Sequence, residues 1–184
     1  MQKMRGKGRK SDARSRAPAF PGSRGGLTHV DSGGKAQMVD VSTKPSTVRE
    51  AVARGEVRMR PKTLELIRKN QMAKGHVLAV AQVAGVLAAK RADEFIPLAH
   101  PLPLSGIDIT FSTNGRASAI GIEARVRTAA QTGVEMEALA AVAAAALAIY
   151  DMCKAADREM IIGRIRLVRK SGGRRGDYRR KGEG

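Results

Sequence analysis

Near the end of its longest apolar stretch, this 184-residue chain reads IYDMCK, with Asp151 and Lys154 three residues apart. On a helix that spacing puts a carboxylate and an ammonium on one face, and such a pair can hold or pass a proton beside an anionic group. An exposed pair of this kind is by default a weak surface salt bridge. Here the preceding turns are almost wholly apolar, so the pair ends a buried helix, where charge is costly and more often functional. Lys74 stands before Gly75 at the mouth of a second apolar segment, GHVLAVAQVAGVLAAK. A lysine beside a helix N-terminus makes an anion site, although a lone loop lysine is usually just solvated. His100 lies in FIPLAHPLPL among three prolines, which fix the backbone around a single imidazole.

Glu135 and Glu137 open the helix that ends at Asp151. Acids in a first turn favour the helix dipole, which accounts for at least one of them. The separation of Glu137 and Asp151 corresponds to about 21 Å along a helix axis, so both cannot touch one small group within one chain. Either the ligand is long or the site is assembled between subunits. Arg49 and Lys90 are surface charges unless a phosphate groups them. The three histidines, His29, His76 and His100, have no metal-ligand spacing, and the single Cys153 excludes an intrachain disulfide and a CxxC metal site. The chain carries no P-loop, dinucleotide fingerprint or GxSxG motif.

The net charge of +17 is concentrated at the ends. Residues 1–26 hold eight Lys/Arg against one Asp, and residues 170–184 hold six against two acids. Both ends are rich in Gly, Ser, Lys and Arg and are expected to be disordered wholly or in part, because they cannot bury enough apolar surface to offset their ordering entropy. The first lacks the apolar stretch of a secretory signal. No segment reaches the roughly 20 apolar residues of a membrane span, so the expectation is a cytoplasmic protein, which the lone cysteine fits.

Between the ends, residues 27–169 read as one domain. MVDV at 38–41 suggests a short strand. Thr47 and Glu50 form a capping box that predicts a helix to Arg54, stopped by Gly55. A short strand follows at 57–59, then a helix from Pro61 to about Asn70. Gly75–Lys90 predicts a buried helix in which Gly85 costs about 1 kcal/mol relative to alanine, so close packing against a neighbour is its reason. GIDITFS and ASAIGIEARVR alternate on either side of Asn114-Gly115, which predicts a hairpin. Val134 to Met152 predicts a long alanine-rich helix, and IIGRIRLVRK a last strand. This irregular mixture of helices and antiparallel strands is α+β.

The segments LTHVDSGGKAQMVDVSTKPSTVREAVARGEVRM, KGHVLAVAQVAGVLAAKR, IPLAHPLPL, TGVEMEAL, IYDMCKA and IIGRIRLVRKSGG, in this order, resemble the cyclic pyranopterin monophosphate synthases, the molybdenum cofactor biosynthesis protein C (MoaC) family. The resemblance runs from Leu27 to Gly176. It implies a ferredoxin-like antiparallel sheet with helices packed on one face, and a homohexamer (a trimer of dimers) with active sites at subunit interfaces. It implies conversion of a 3′,8-cyclo-7,8-dihydro-GTP, handed over by the radical enzyme that makes it, into cyclic pyranopterin monophosphate with release of pyrophosphate. By resemblance Asp151 is the catalytic acid/base, and Lys154 and Lys74 orient phosphates or transfer protons. Leu98, Ala99, His100, Met136 and Glu137 match substrate-binding segments, and Arg49, Lys90 and Lys170 match basic positions that hold the triphosphate. No cofactor or protein-bound metal is implied, and a divalent cation accompanying the pyrophosphate is left open. Two positions depart from the family pattern: Ala99 replaces a cysteine of LCHPL, and His76 replaces the aspartate of KGD.

Two readings compete with this one. The basic ends fit a nucleic-acid-binding protein, or a non-specific nucleic-acid contact that coexists with enzyme activity. An inactive hexameric scaffold is the other. Against the first, the middle of the chain has no aromatic platform and no recognition-helix pattern. Against the second, Asp151, Lys154, Lys74 and His100 are all present together.

Overall fold

The computed structural model describes residues 36–174 and 176–183. The disorder expected of residues 1–26, and everything read from 27–35 including His29, lie outside them. The chain forms β1 (Thr47–Arg58), α1 (Pro61–Arg68), α2 (Val77–Lys90), α3 (Ala92–Phe95), β2 (Leu104–Asn114), β3 (Ala119–Ala130), α4 (Glu135–Cys153), β4 (Ile161–Ser171) and β5 (Tyr178–Arg179). All belong to one unit, Met38–Gly184. The five strands make one sheet in the order β2-β3-β1-β4-β5, and every neighbouring pair is antiparallel. Each of the two crossovers, β1 to β2 and β3 to β4, skips one strand. The first four strands therefore realise the ferredoxin-like arrangement, and the α+β expectation holds.

The sheet's inner face is written in alternation. Ile120, Ile122, Ala124 and Val126 of β3 are buried and lie opposite Val57, Gly55, Ala53 and Ala51 of β1. Helix α4 packs on β1, β3 and β4, while α2 lies beside α4 and over β2. Small residues let these layers approach. A Cβ added to Gly55 would stand 2.7 Å from Val142 of α4, and one added to Gly85 would stand 2.9 Å from the Ala141 carbonyl oxygen. Gly85 thus has the close-packing reason its sequence implies. By length and apolar composition α4 could cross a bilayer, but it is the core helix here, with Ala138, Ala141, Val142, Ala145, Ala146 and Ile149 fully buried.

Three expectations change. Thr47 to Arg54 is strand, not helix, because Ala51, Ala53 and Val57 complete the buried alternation against β3; a local capping signal cannot outweigh two flanking ladders. Met38–Val41 is not a strand, and the chain turns there through Lys44 N–H donating to the Val41 carbonyl at 2.9 Å. The boundary expected at 169/170 falls inside β4, which runs to Ser171, and the segment read as a basic tail supplies β5.

The outer face of the sheet is charged. Arg54 meets Glu123 at 2.7 Å, Arg169 meets Glu50 at 2.5 Å, and Arg58 meets Glu56 at 2.7 Å.

Candidate active site

At the C-terminal end of α4 three charges converge. The Asp151 carboxylate accepts from Lys154 Nζ at 2.7 Å and from Lys74 Nζ at 2.8 Å, while Lys74 also donates to the Asp151 carbonyl at 3.0 Å. The hydrogen bonds from Lys154 and then Lys74 hold the Asp151 carboxyl at about 2, well below the usual carboxylate range. Asp151 in turn pushes the Lys154 ammonium up. The result is an exposed trio, one carboxylate between two lysine side chains.

A buried aspartate keeps the trio's scaffold together. Asp157, 1% exposed, accepts from the Arg60 N–H at 2.8 Å, the Thr63 hydroxyl at 3.1 Å and the Glu159 N–H at 3.1 Å, and pairs with the Arg60 guanidinium at 3.1 Å. Burial opposes its charge, but these donors together lower its pKa. Asp157 thereby caps α1 from the loop that follows α4, fixing the start of the segment that leads to Lys74 relative to Asp151. Next to Lys74, the His76 Nδ1 accepts the Ala79 N–H at 3.2 Å and caps α2. The imidazole therefore performs the acceptor role an aspartate would perform there. Cys153 is no nucleophile: burial first, then the Asp157 charge, pushes its thiol up to about 11.

The other predicted residues gather at the opposite end. Lys74 meets the end of α4 before α2 begins, and Gly85 packs between Ala141 and Ala145, so α2 runs antiparallel to α4 and Lys90 closes it near the start of α4. There Glu137 is 4% exposed, with a buried Oε2 that has no hydrogen-bond partner. Burial first, then the negative charges of Glu135 and Asp93, raise its pKa despite an opposing backbone hydrogen bond. Met136 beside it is exposed. Lys170 reaches from β4 to Glu135 at 2.7 Å. Arg49 is held by the carbonyls of Ala130 and Gln131, both at 2.9 Å. Leu98, Ala99 and His100 are half-buried in the loop before β2, and His100 Nε2 donates to the Val39 carbonyl at 2.9 Å, so the proline-framed imidazole is anchored at one nitrogen.

One chain therefore brings Asp151, Lys154 and Lys74 together, and places Glu137 about 21 Å away along α4, with Met136, Lys170, Arg49, Lys90 and the His100 loop toward that other end. Two partnerships escape a reading of spacing alone. Glu135, one of the two acids of which the helix dipole accounts for at least one, is the Lys170 partner across 35 residues, and Lys74 reaches Asp151 across 77. Among the described residues, no three His, Cys, Asp or Glu side chains gather as a metal site.

A family model described as the MoaC family matches residues 38–173. A cyclic pyranopterin monophosphate synthase of Pelotomaculum thermopropionicum is 63% identical over 158 residues, covering 86% of this chain and 93% of the relative. A synthase of the same name from a Roseiflexus species is 61% identical, covering 83% and 96%. Another, from Heliobacterium modesticaldum, is 56% identical, covering 84% and 98%. These likenesses lend no support to the nucleic-acid or inactive-scaffold readings.

Proposed function

The chain belongs to the MoaC family and is an enzyme of molybdenum cofactor biosynthesis that makes cyclic pyranopterin monophosphate; we propose that it does so by acid/base catalysis on 3′,8-cyclo-7,8-dihydro-GTP, at sites shared between subunits. Pyrophosphate leaves as the retained phosphate closes into a cyclic ester and the pterin-type ring system forms, so the chain acts as a lyase. The reaction needs cations for a triphosphate and at least one base and one acid for the ring rearrangement.

The observation that carries this reading is the geometry at the end of α4, where the Asp151 carboxylate lies 2.8 Å from Lys74 Nζ and 2.7 Å from Lys154 Nζ; these lysines hold its carboxyl well below the usual range, whereas burial raises that of Glu137. Asp151 takes the base role. Its basicity rises when substrate phosphates draw Lys74 or Lys154 away, which couples proton transfer to binding. Lys154 and Lys74 orient phosphates or transfer protons, and Glu137, with its unpartnered buried oxygen, binds substrate. Lys90, Arg49 and Lys170 hold phosphates, and Leu98 to His100 with Met136 line the nucleotide-derived ring.

The two groups lie too far apart on one α4 to serve one substrate, which supports a site completed by the neighbouring chain of a homohexamer. An outward apolar stripe suits such a neighbour: Val80, Val83 and Leu87 share one face of α2 and are exposed, as is Leu147 of α4. The lone buried thiol fits a reducing cytoplasm, where the radical enzyme hands over its product. Whether a divalent cation accompanies the pyrophosphate is read by titrating a chelator into the assay, and non-specific nucleic-acid contact by the basic ends by salt-dependent binding of a chain without residues 1–26.

The test is an end-point assay of pyrophosphate release and pyranopterin formation, with Asp151→Asn beside the wild type. The variant should keep the fold and assembly and form no product. Normal turnover by Asp151→Asn removes that residue from the acid/base role.

A further inference from the structure

Residues 176–183 lie past the segment that the family model matches, yet the sheet uses them. Tyr178 pairs with Lys170 and Arg179 with Arg169. The Arg180 N–H then donates to the Val168 carbonyl at 2.8 Å, and its Nε to the Leu167 carbonyl at 2.9 Å. On the near side the Gly172 N–H donates to the Asp177 carboxylate at 3.3 Å. Glu183 closes the segment onto the sheet's outer face, 13% exposed, between Arg54 at 3.1 Å and the Arg166 guanidinium. Burial opposes its charge, but the hydrogen bonds and charges of Arg166 and Arg54 lower its pKa.

Without β5, the end of β4 is a sheet edge, and edge ends open first. With it, the Lys170 backbone is flanked by Ala51 on one side and Tyr178 on the other, while its ammonium rests on Glu135. The two glycines that follow, Gly172 and Gly173, both have positive φ. They turn so closely beneath Val48 and Arg49 that a Cβ on either would collide with them. One segment thus abuts both Lys170 and Arg49 at this end of α4.

We propose that Asp177–Glu183 is a strap that positions Lys170 and Arg49 for the substrate's phosphates. The proposal rests on reading those two cations as phosphate-holding groups. Glu183 is a positioning residue: it acts through Arg54 and Arg166, which hold the strap, and the strap holds the end of β4.

The experiment compares wild type, Glu183→Gln and a chain ending at Gly173, each with and without Lys170→Ala. Initial rates give KM and kcat for the cyclo-dihydro-GTP, and hydrogen exchange is read at Val168–Ser171. KM should rise by about tenfold in the shortened chain and less in Glu183→Gln, with kcat nearly unchanged. Each change should raise KM by less in the Lys170→Ala background, where only the share carried by Arg49 remains, and exchange at the end of β4 should quicken in both. An unchanged KM overturns the proposal, and so does an equal rise in the Lys170→Ala background, which marks general softening instead. Glu183→Gln carries the test if the shortened chain fails to fold. Should wild type show no turnover, the functional reading fails, and exchange still judges the strap: unchanged protection sinks it.

Discussion

Replacing Gly85 by alanine sets two known effects against each other at the contact that joins the site-bearing helices. The added Cβ would stand 2.5 Å from Ile109 Cδ1, 2.9 Å from the Ala141 carbonyl oxygen and 3.5 Å from the Ala145 Cβ. The Ile109 methyl ends a flexible side chain and can turn aside. The Ala141 oxygen belongs to α4 backbone and moves only with the helix. Alanine gains about 1 kcal/mol of helix propensity over glycine, whereas overpacking a close-packed core costs about 1–3 kcal/mol. The net expectation is a loss of about 1 kcal/mol, which for a domain of this size is a fall of about 2–4 °C in Tm. Gly115→Ala is the control: a Cβ there meets no heavy atom within 4 Å, so its effect should stay within about 0.5 kcal/mol. Thermal unfolding followed by far-ultraviolet circular dichroism reads both variants. Turnover adds a second readout, since parting α2 from α4 loosens Lys74 from Asp151 and lowers kcat. A Gly85→Ala protein as stable as wild type or more so refutes the reasoning, because the Ala141 backbone would then have yielded at no cost.

The remaining predictions concern charge and assembly. Because the Asp151 carboxyl is depressed to about 2, its contribution to folding is complete above the ordinary carboxylate range and fades as pH falls toward 2. Lys154→Ala and Lys74→Ala should each move the Asp151 titration upward in carboxyl-carbon NMR; an unmoved midpoint removes the lysines as the cause. Leu87→Glu places a charge in the outward stripe of α2 and should lower the sedimentation mass while leaving the fold intact, and an unchanged mass moves the subunit contact elsewhere.

The hairpin β2–β3 and the helices α2 and α4 were legible in the sequence because their signals are local: alternation about Asn114-Gly115, and continuous apolar runs. β1 was not, because Thr47 and Glu50 carry a helix-start signal while the strand's identity comes from β3 and β4 on either side. β5 was illegible for the same reason: Tyr178 and Arg179 have no strand pattern of their own and are ordered by the edge they cover. The Asp151–Lys154 pair could be read from helical spacing. Its third member, Lys74, is joined to it by the antiparallel packing of α2 on α4; the helix mouth marked Lys74 as an anion-site candidate, but only the family resemblance grouped it with Asp151. The separation of Glu137 from Asp151 needed nothing more than the rise of a helix.

That separation makes the length of α4 a quantity in its own right. Its alanines can be exchanged among small side chains wherever the neighbours give way. One inserted residue, however, turns everything after it by about 100° and advances it by about 1.5 Å. Asp151 would then swing away from Lys74, while Glu137 at the other end stayed where it was. The hairpin turn at Asn114-Gly115, exposed and outside α4, carries no such constraint. On the proposed reading, the reaction should tolerate changes in what α4 is made of far better than changes in how many residues it counts.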